Sequence, residues 1–355
     1  MAAIKIALLT PQQGTAGIWA PSAEACARLA VHEINSAGGL MGREVRLLTL
    51  DSGRSRHSAA EAASLAVDVE EADAIIGMFP SYARKAVLGV IEQRLPFIYT
   101  PQFEGFEANP GVVATGETAE ELLQPGIEWL VTEKRARRFF LCGSDYIWPR
   151  SSCATARRFI RETGGVVTGE VFLPLENHDF DALLAQIARS GTQVLIPYFL
   201  GNDAIQFNRA FAEAGLAGRM LRFAPAIDET IVYGLGENAT ENLYISAAYF
   251  STLRSRNNGA FLERYHMLHG ATPPPANSFG QSCYEGFHCL ASLVKAAGSL
   301  RLKEVRRALG RTHQTRTARG DAAAPVVGSR APIHLAMVDG YSFEPVAAEP
   351  FRLRR

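Results

Sequence analysis

The N-terminal third of the chain alternates short apolar runs with longer amphipathic stretches. Residues 4–9 form an apolar run, and Cys26, Ala30 and Ile34 then recur at the spacing of one helical face. The glycine doublet at residues 38–39 ends this helix, and a further apolar run follows. Because strands and helices alternate in this way, the pattern predicts a parallel sheet with right-handed crossovers.

The same alternation starts again near residue 117 and predicts a second α/β sheet. Two more helices follow that sheet, and a last strand is expected near residues 333–338. We therefore predict an α/β fold of two lobes, between which the chain crosses more than once. The predicted N-terminal lobe comprises residues 1–117 and 251–325, and the predicted C-terminal lobe comprises residues 118–250 and 326–355.

Composition narrows the class of protein. A chain of 355 residues fits two domains of about 100–200 residues each. The 36 Lys and Arg residues balance the 36 Asp and Glu residues, so no net field favours nucleic acid or an anionic membrane. No run reaches the roughly 18 apolar residues that span a bilayer. We therefore expect no direct nucleic-acid partner and no membrane insertion.

The cellular location stays open between two alternatives. The start of the chain runs directly into an apolar strand and lacks the features of a signal peptide. The protein is then either cytoplasmic or a bacterial periplasmic protein whose signal peptide has been removed. The five cysteines are odd in number and loosely spaced, which favours a reducing compartment and predicts no metal site.

Motifs for catalysis are missing from the sequence. It contains no phosphate-binding loop, dinucleotide fingerprint, nucleophile elbow or zinc-protease motif. No helix-turn-helix precedes the first strand. We therefore predict a protein without catalytic residues, cofactor or metal that binds a small polar solute. The alternative is an enzyme that acts on a small amide on the same two-lobe scaffold.

Two junctions between strands and loops in the first lobe carry polar and aromatic residues. Ser81 stands where a helix N-cap is expected, so its hydroxyl and the free N–H groups there form an acceptor for a carbonyl or carboxylate oxygen. A plain helix cap is the competing interpretation. The second junction, at residues 99–102, combines a strand end with a rigid proline and an amide. A turn with buried aromatic residues is the competing interpretation, and composition alone slightly favours it.

A third junction follows the first strand of the second lobe. Tyr146 and Trp148 alternate there, so in an extended segment both point the same way. Amphipathic aromatic residues at the carboxyl end of a strand are typical of pockets for small ligands. Ligands of open parallel sheets bind at these strand ends. Three such junctions in two sheets indicate one shared ligand cleft.

Several segments resemble a known family. The segment EINSAGGLMGR at residues 33–43, followed by a strand and Asp51, resembles the signature of type I periplasmic binding proteins of the branched-chain amino acid receptor group. Within that group the chain is most similar to the amide and urea branch, which includes the amide-sensing negative regulator of the aliphatic amidase operon. The resemblance covers most of residues 4–310. The segments that match this branch are 81–87, 104–107, 143–150 and 249–251.

The resemblance implies two Rossmann-like lobes joined by three crossovers, which close by a hinge around a ligand. It implies an amide, urea-like or amino-acid-like ligand. The partner would be an ABC permease for a transport receptor, or an antiterminator-type regulator for a cytoplasmic amide sensor. The ligand contacts that it implies, together with the adjacent strand-end threonine, are Phe79, Ser81, Tyr99, Thr100, Pro101, Gln102, Tyr146, Trp148 and Asp228.

Overall fold

The computed structural model divides the chain into two compact units. It describes residues 2–105, 107, 109–309, 313–314, 317–319, 324–325, 332–347 and 349–351. The described residues of unit 1 fall within Met1–Gln102, Phe106–Gly116 and Leu253–Ala331. Those of unit 2 fall within Phe103–Gly105, Glu117–Thr252 and Pro332–Arg355.

Strands and helices are numbered along the chain. The strands are β1 Ile4–Thr10, β2 Val45–Asp51, β3 Ala74–Gly77, β4 Phe97–Tyr99, β5 Val112–Ala114, β6 Arg138–Ser144, β7 Val166–Leu173, β8 Val194–Tyr198, β9 Leu221–Phe223, β10 Leu243–Ala247, β11 His313–Gln314, β12 Ala324–Pro325, β13 His334–Asp339 and β14 Ser342–Pro345. The α-helices are α1 Ala20–Ser36, α2 Arg56–Ser64, α3 Ser81–Ile91, α4 Ala119–Glu133, α5 Ile147–Glu162, α6 Asp181–Arg189, α7 Gly201–Glu213, α8 Glu229–Leu235, α9 Arg256–His269, α10 Ser278–Ala297 and α11 Leu302–Ala308.

Unit 1 is built on a parallel sheet with strand order β2-β1-β3-β4-β5. The turn between α1 and β2 depends on Gly39, which has a φ of 74°. A Cβ atom at Gly39 would overlap the carbonyl oxygen of Arg43. Only glycine therefore fits the turn that brings β2 alongside β1. Helix α10 packs closely on α1, where Gly280 lies against the Ser22 side chain.

A buried ionic network ties three helices of unit 1 together. Glu33 of α1 accepts hydrogen bonds from Arg264 Nε of α9 at 2.6 Å and from the Tyr284 hydroxyl of α10 at 2.8 Å. His288 Nε2 lies 3.2 Å from the same carboxyl group. Burial raises the pKa of Glu33, but these three partners outweigh it and lower the pKa to about 2. The carboxylate is thus part of the packing between α1, α9 and α10.

Unit 2 repeats the strand order of unit 1 and extends it. Its sheet has the order β14-β13-β10-β9-β8-β6-β7. The part from β7 to β10 is parallel and follows the same winding as the sheet of unit 1. Strands β13 and β14 join antiparallel at the edge. The chain passes between the units after Gly116, after Thr252 and before Pro332, and residues 103–105 also belong to unit 2.

The interior of both units is apolar. All five cysteines are free and buried, and burial raises the pKa of each thiol. They therefore pack as small hydrophobic side chains. The helices in the described ranges include none that is both long and apolar enough to span a bilayer. Within the same ranges, His, Cys, Asp and Glu side chains form no cluster of three that could hold a metal ion.

Candidate functional site

The strand order places a candidate site at the carboxyl edge of each sheet. In unit 1 the strand β1 pairs with β2 on one side and with β3 on the other side, so the order of the strands reverses at β1. In unit 2 the strand β6 has the same position between β7 and β8. Open sheets of this order bind ligands outside the carboxyl ends of the strands at this switch point. The predicted contact residues end β4 or follow β3, β4, β6 and β9.

The helix N-cap predicted at Ser81 is wrong by one residue. Pro80 occupies the cap position with φ −61° and ψ 149°, and Ser81 is the first residue of α3. Proline fits there because its ring fixes this φ and its lack of an N–H costs no helical hydrogen bond. The buried hydroxyl of Ser81 lies 3.5 Å from the Tyr99 hydroxyl and 3.5 Å from Arg84 Nη1.

Arg84 organises a buried polar cluster at this edge of unit 1. Its Nε lies 2.7 Å from Glu107 Oε2, and its guanidinium carbon lies 4.8 Å from the centre of the Tyr99 ring. The Tyr99 hydroxyl donates to the carbonyl oxygen of Phe79 at 2.7 Å. We call Ser81, Arg84, Tyr99 and Glu107 the Arg84 cluster. Sequence reasoning missed Arg84 and Glu107, although the i,i+3 spacing of Ser81 and Arg84 puts both on one helix face.

The other predicted contacts of unit 1 differ in exposure. The Phe79 ring is buried against Phe97 and Tyr99. The Thr100 hydroxyl is buried 3.3 Å from the carbonyl oxygen of Gly77. Pro101 is buried as well, whereas Gln102 is partly exposed. The structure thus brings Ser81 and Tyr99 into one cluster, and the ligand contacts of all these residues stay predictions.

The extended segment predicted at Tyr146 and Trp148 is wrong. Helix α5 begins at Ile147, so Tyr146 is the N-cap residue and Trp148 lies in the first turn. Trp148 packs in the core of unit 2, where its ring stands nearly perpendicular to Tyr198 at 5.3 Å. Tyr146 is partly exposed and lies 6.2 Å from Trp148. We call Tyr146, Trp148 and Tyr198 the aromatic ladder.

Tyr198 ends β8 and is the member of the ladder that sequence reasoning missed. It is the last residue of an apolar run, which hides it among core positions. Its hydroxyl is buried and has no hydrogen-bond partner among the described residues. Burial raises the pKa of this phenol, so the group is a neutral hydrogen-bond donor.

Two adjacent acidic residues follow β9 in unit 2. Asp228 caps α8, and its Oδ1 accepts a hydrogen bond from the Ile231 N–H at 3.1 Å. Its neighbour Glu229 is 2 % exposed, and Glu229 Oε1 accepts from the Ser251 N–H at 2.6 Å. Burial raises the pKa of Glu229. The prediction named Asp228 alone, and only the fold shows that Glu229 is buried beside the end of β10.

Residues 3–334 match the model of a periplasmic binding protein family. The chain belongs to the periplasmic binding protein family. The match includes every predicted contact residue, from Phe79 to Asp228. It confirms the family of the sequence prediction at the level of periplasmic binding proteins, and it does not single out the amide and urea branch.

Solved structures of solute-binding proteins share the fold. An ABC transporter solute-binding protein from R. palustris in complex with 4-hydroxybenzoate superposes with a TM-score of 0.86 and 18 % identity, covering 99 % of this chain and 97 % of that chain. A branched-chain amino acid transporter substrate-binding protein from Streptococcus pneumoniae, in complex with isoleucine, has a TM-score of 0.83 and 17 % identity, covering 97 % and 99 %. The predicted two-lobe α/β fold is thereby confirmed.

Curated relatives are similar over part of their length. The Leu/Ile/Val-binding protein homolog 6 of Brucella melitensis is 26 % identical over 195 residues, which are 54 % of this chain and 49 % of that protein. The chain thus matches about half the length of this relative. These relatives are named as binding proteins, which agrees with the predicted absence of catalysis at the level of the family.

Proposed function

We propose that this protein is a non-catalytic receptor that binds one small polar organic solute for an ABC importer. The match to the periplasmic binding protein family over residues 3–334 carries the proposal. Two relatives of the same fold hold 4-hydroxybenzoate and isoleucine, both small molecules with a carboxylate. As an importer receptor the protein would work in the periplasm, which cell fractionation of the native host tests.

The proposed ligand contacts lie at the carboxyl ends of both sheets. In unit 1 they are Ser81 and Tyr99, supported by the hydroxyl groups that meet in the Arg84 cluster. In unit 2 they are Tyr146 and Asp228, supported by their positions at the starts of α5 and α8. A small ligand offers few contacts, so each contact contributes a large share of the affinity.

A ligand screen tests the proposed function. Acetamide, urea, L-isoleucine, L-leucine, benzoate and 4-hydroxybenzoate are tested by thermal shift and then by calorimetric titration. A true ligand at 100 times its Kd stabilises the folded protein by about 2.7 kcal/mol. The ligand must be recovered unchanged after prolonged incubation, since release of ammonia from an amide would show an enzyme instead.

Site variants then test the contacts. Ser81→Ala and Tyr146→Ala should each weaken binding by about 1–3 kcal/mol, which is roughly fivefold to over a hundredfold in Kd. Leu268→Ala, on the partly exposed end of α9, is the matched control and should leave Kd unchanged. Unaltered affinity in both folded site variants would show that the pocket is elsewhere. Hinge closure stays a prediction, and small-angle scattering should show a smaller radius of gyration at saturation.

A cytoplasmic amide sensor is the second candidate. The segments at residues 81–87 and 143–150, which resemble the amide and urea branch, favour it. In this case an RNA-binding antiterminator partner should copurify with the protein and dissociate when acetamide is added. The importer receptor is favoured if no such partner copurifies from the native host. It is favoured further if a strain that lacks the protein grows poorly on the transported solute.

A further inference from the structure

A cavity of about 510 Å³ lies in unit 1 between α11 and the segment that joins α3 to β4. This segment is at the amino end of the parallel sheet, because α3 starts after the carboxyl end of β3 and returns to the start of β4. The Arg84 cluster lies at the other, carboxyl end. The volume is typical of sites for small organic molecules. The described residues that line the cavity are Gln93, Leu302, Lys303, Arg306, Arg307 and Leu309.

Cations dominate the lining of this cavity. Lys303, Arg306 and Arg307 follow each other at the spacing i, i+3 and i+4, so they lie on one face of α11. Glu304 pairs with Arg307, whose Nη1 lies 3.0 Å from its Oε2. The side chains of Lys303 and Arg306 have no partner among the described residues. The cavity therefore has two positive charges that the described part of the chain does not compensate.

This arrangement is unfavourable for the helix by itself. Like charges three and four positions apart repel each other on a helix surface. Lys303 also lies in the first turn of α11, where the helix dipole disfavours a cation, whereas Arg306 and Arg307 lie in the last turn, where it favours them. An anion bound between these side chains would remove the repulsion.

The charge and polarity of the lining indicate the class of ligand. Two uncompensated positive charges match one phosphate group, which carries a charge of about −1.5 to −2 at neutral pH. Arginine binds phosphate oxygens through paired N–H groups, and lysine binds them as a point charge. The Gln93 amide adds a hydrogen-bond donor. A phosphate group fills only part of the cavity, and Leu302 and Leu309 provide apolar lining for an organic remainder.

We propose that this cavity is a second binding site, which binds the phosphate group of an organic phosphate monoester. The ester is a free small molecule or the headgroup of a lipid, because both present the same chemistry to the cations. The site lies at the opposite end of the sheet from the candidate solute contacts of unit 1, and it does not depend on the identity of that solute.

Calorimetric titration with phenyl phosphate tests the site in phosphate-free buffer of low ionic strength. The wild-type protein should bind this probe. The variant that combines Lys303→Gln with Arg306→Gln should bind it about tenfold more weakly, because both uncompensated charges are lost. Benzenesulfonate, a monoanion of similar shape, should bind the wild-type protein more weakly than phenyl phosphate does.

A matched control separates the cavity from the overall charge of the protein. Arg46→Gln combined with Arg56→Gln removes two exposed cations of the same unit, on β2 and at the start of α2. This control should bind phenyl phosphate within about twofold of the wild type. Circular dichroism of both double variants, recorded beside the titrations, shows whether any loss of binding belongs to folded protein.

Vesicles distinguish the two sources of the phosphate group. The protein is floated with vesicles of phosphatidylcholine alone and with vesicles that also contain phosphatidic acid, whose headgroup is a phosphate monoester. Capture by the phosphatidic acid vesicles that the variant of Lys303 and Arg306 loses identifies a lipid headgroup. Binding of phenyl phosphate without capture by vesicles identifies a free ester.

The remaining outcomes overturn the proposal. It is wrong if the wild-type protein binds neither phenyl phosphate nor the phosphatidic acid vesicles, or if the variant of Lys303 and Arg306 binds as tightly as the wild type. Equal losses in this variant and in the control would mean that binding follows overall charge. Equal affinity for benzenesulfonate would exclude a site for phosphate. None of these results bears on solute binding at the carboxyl edges, so the proposed function would stand.

Discussion

The two units share a strand order but differ in the chemistry at the carboxyl edge of the sheet. In unit 1 the polar groups there are paired with each other, as Arg84 with Glu107 and Tyr99 with the Phe79 carbonyl. In unit 2 the Tyr198 hydroxyl of the aromatic ladder is a neutral donor that lacks a hydrogen-bond partner among the described residues. The same topology therefore supports one edge whose polar groups pair with each other and one edge that has an unpaired hydrogen-bond donor.

This difference shows what a fold does and does not decide. The strand order fixes which chain segments meet at the switch point. The side chains on those segments decide whether the edge is satisfied internally or needs a ligand. We accordingly expect substitution of the ion pair of Arg84 and Glu107 in unit 1 to act mainly on stability, and substitution of the unpaired Tyr198 hydroxyl in unit 2 to leave stability almost unchanged.

The largest expected effect is the loss of Trp148, the bulkiest member of the aromatic ladder, which lies in the core of unit 2. Trp148→Ala removes a large side chain that is 3 % exposed, so unfolding of unit 2 should become easier by about 3–5 kcal/mol. Urea unfolding followed by circular dichroism measures this. Trp148→Phe, which keeps an aromatic ring, is the control and should lose less. A loss below about 1 kcal/mol would contradict the core position.

Breaking the Arg84 cluster should destabilise unit 1 slightly less. Arg84→Gln leaves the Glu107 carboxylate without its partner in a site where the two side chains are 10 % and 15 % exposed. We expect a loss of about 2–4 kcal/mol, somewhat below that of a fully buried pair. Arg84→Gln combined with Glu107→Gln should lose less than the sum of the single variants. Strict additivity in a double-mutant cycle would refute the pairing.

Acid should act on unit 1 through Glu33. The folded-state pKa, about 2, lies below the ordinary value of 4.5. The carboxylate network therefore stabilises the fold above about pH 4.5, and this contribution is lost as the pH falls towards 2. Glu33→Gln should lose on the order of 2 kcal/mol at neutral pH, with solvent screening allowed for. It should also flatten Tm against pH in that window, and parallel Tm curves for both proteins would contradict this.

The smallest effect provides the most direct comparison of the two edges. Tyr99 and Tyr198 are both buried tyrosines that end a strand. The Tyr99 hydroxyl donates to a carbonyl oxygen, whereas the described residues offer no acceptor to the Tyr198 hydroxyl. Tyr99→Phe should cost about 1 kcal/mol because the Phe79 carbonyl loses its donor. Tyr198→Phe should leave the stability of the ligand-free protein unchanged within about 0.5 kcal/mol. Equal losses in calorimetry would mean that the two edges are satisfied alike.

Much of the fold could be predicted because it depends on local pattern. The alternation of apolar runs and amphipathic stretches identified most strands of both sheets, since a buried strand and a half-buried helix impose different periods, but β5, β10 and β14 were not predicted. The doublet of Gly38 and Gly39 marked the end of α1 because only glycine adopts the backbone needed there. Helix starts were predicted less well, since α3 begins at Ser81 itself and α5 begins at Ile147, where an extended segment was expected.

What the sequence determined by itself is the order of the elements and the strand ends at which polar and aromatic residues stand. What only the tertiary structure decided is which of those residues are paired. Glu107 lies 23 positions from Arg84, and Ser251 lies 22 positions from Glu229. Neither contact can therefore be predicted from a periodic pattern in the sequence. Burial and pairing decide the rest, because burial raises the pKa of Glu229, whereas the partners of the buried Glu33 lower its pKa.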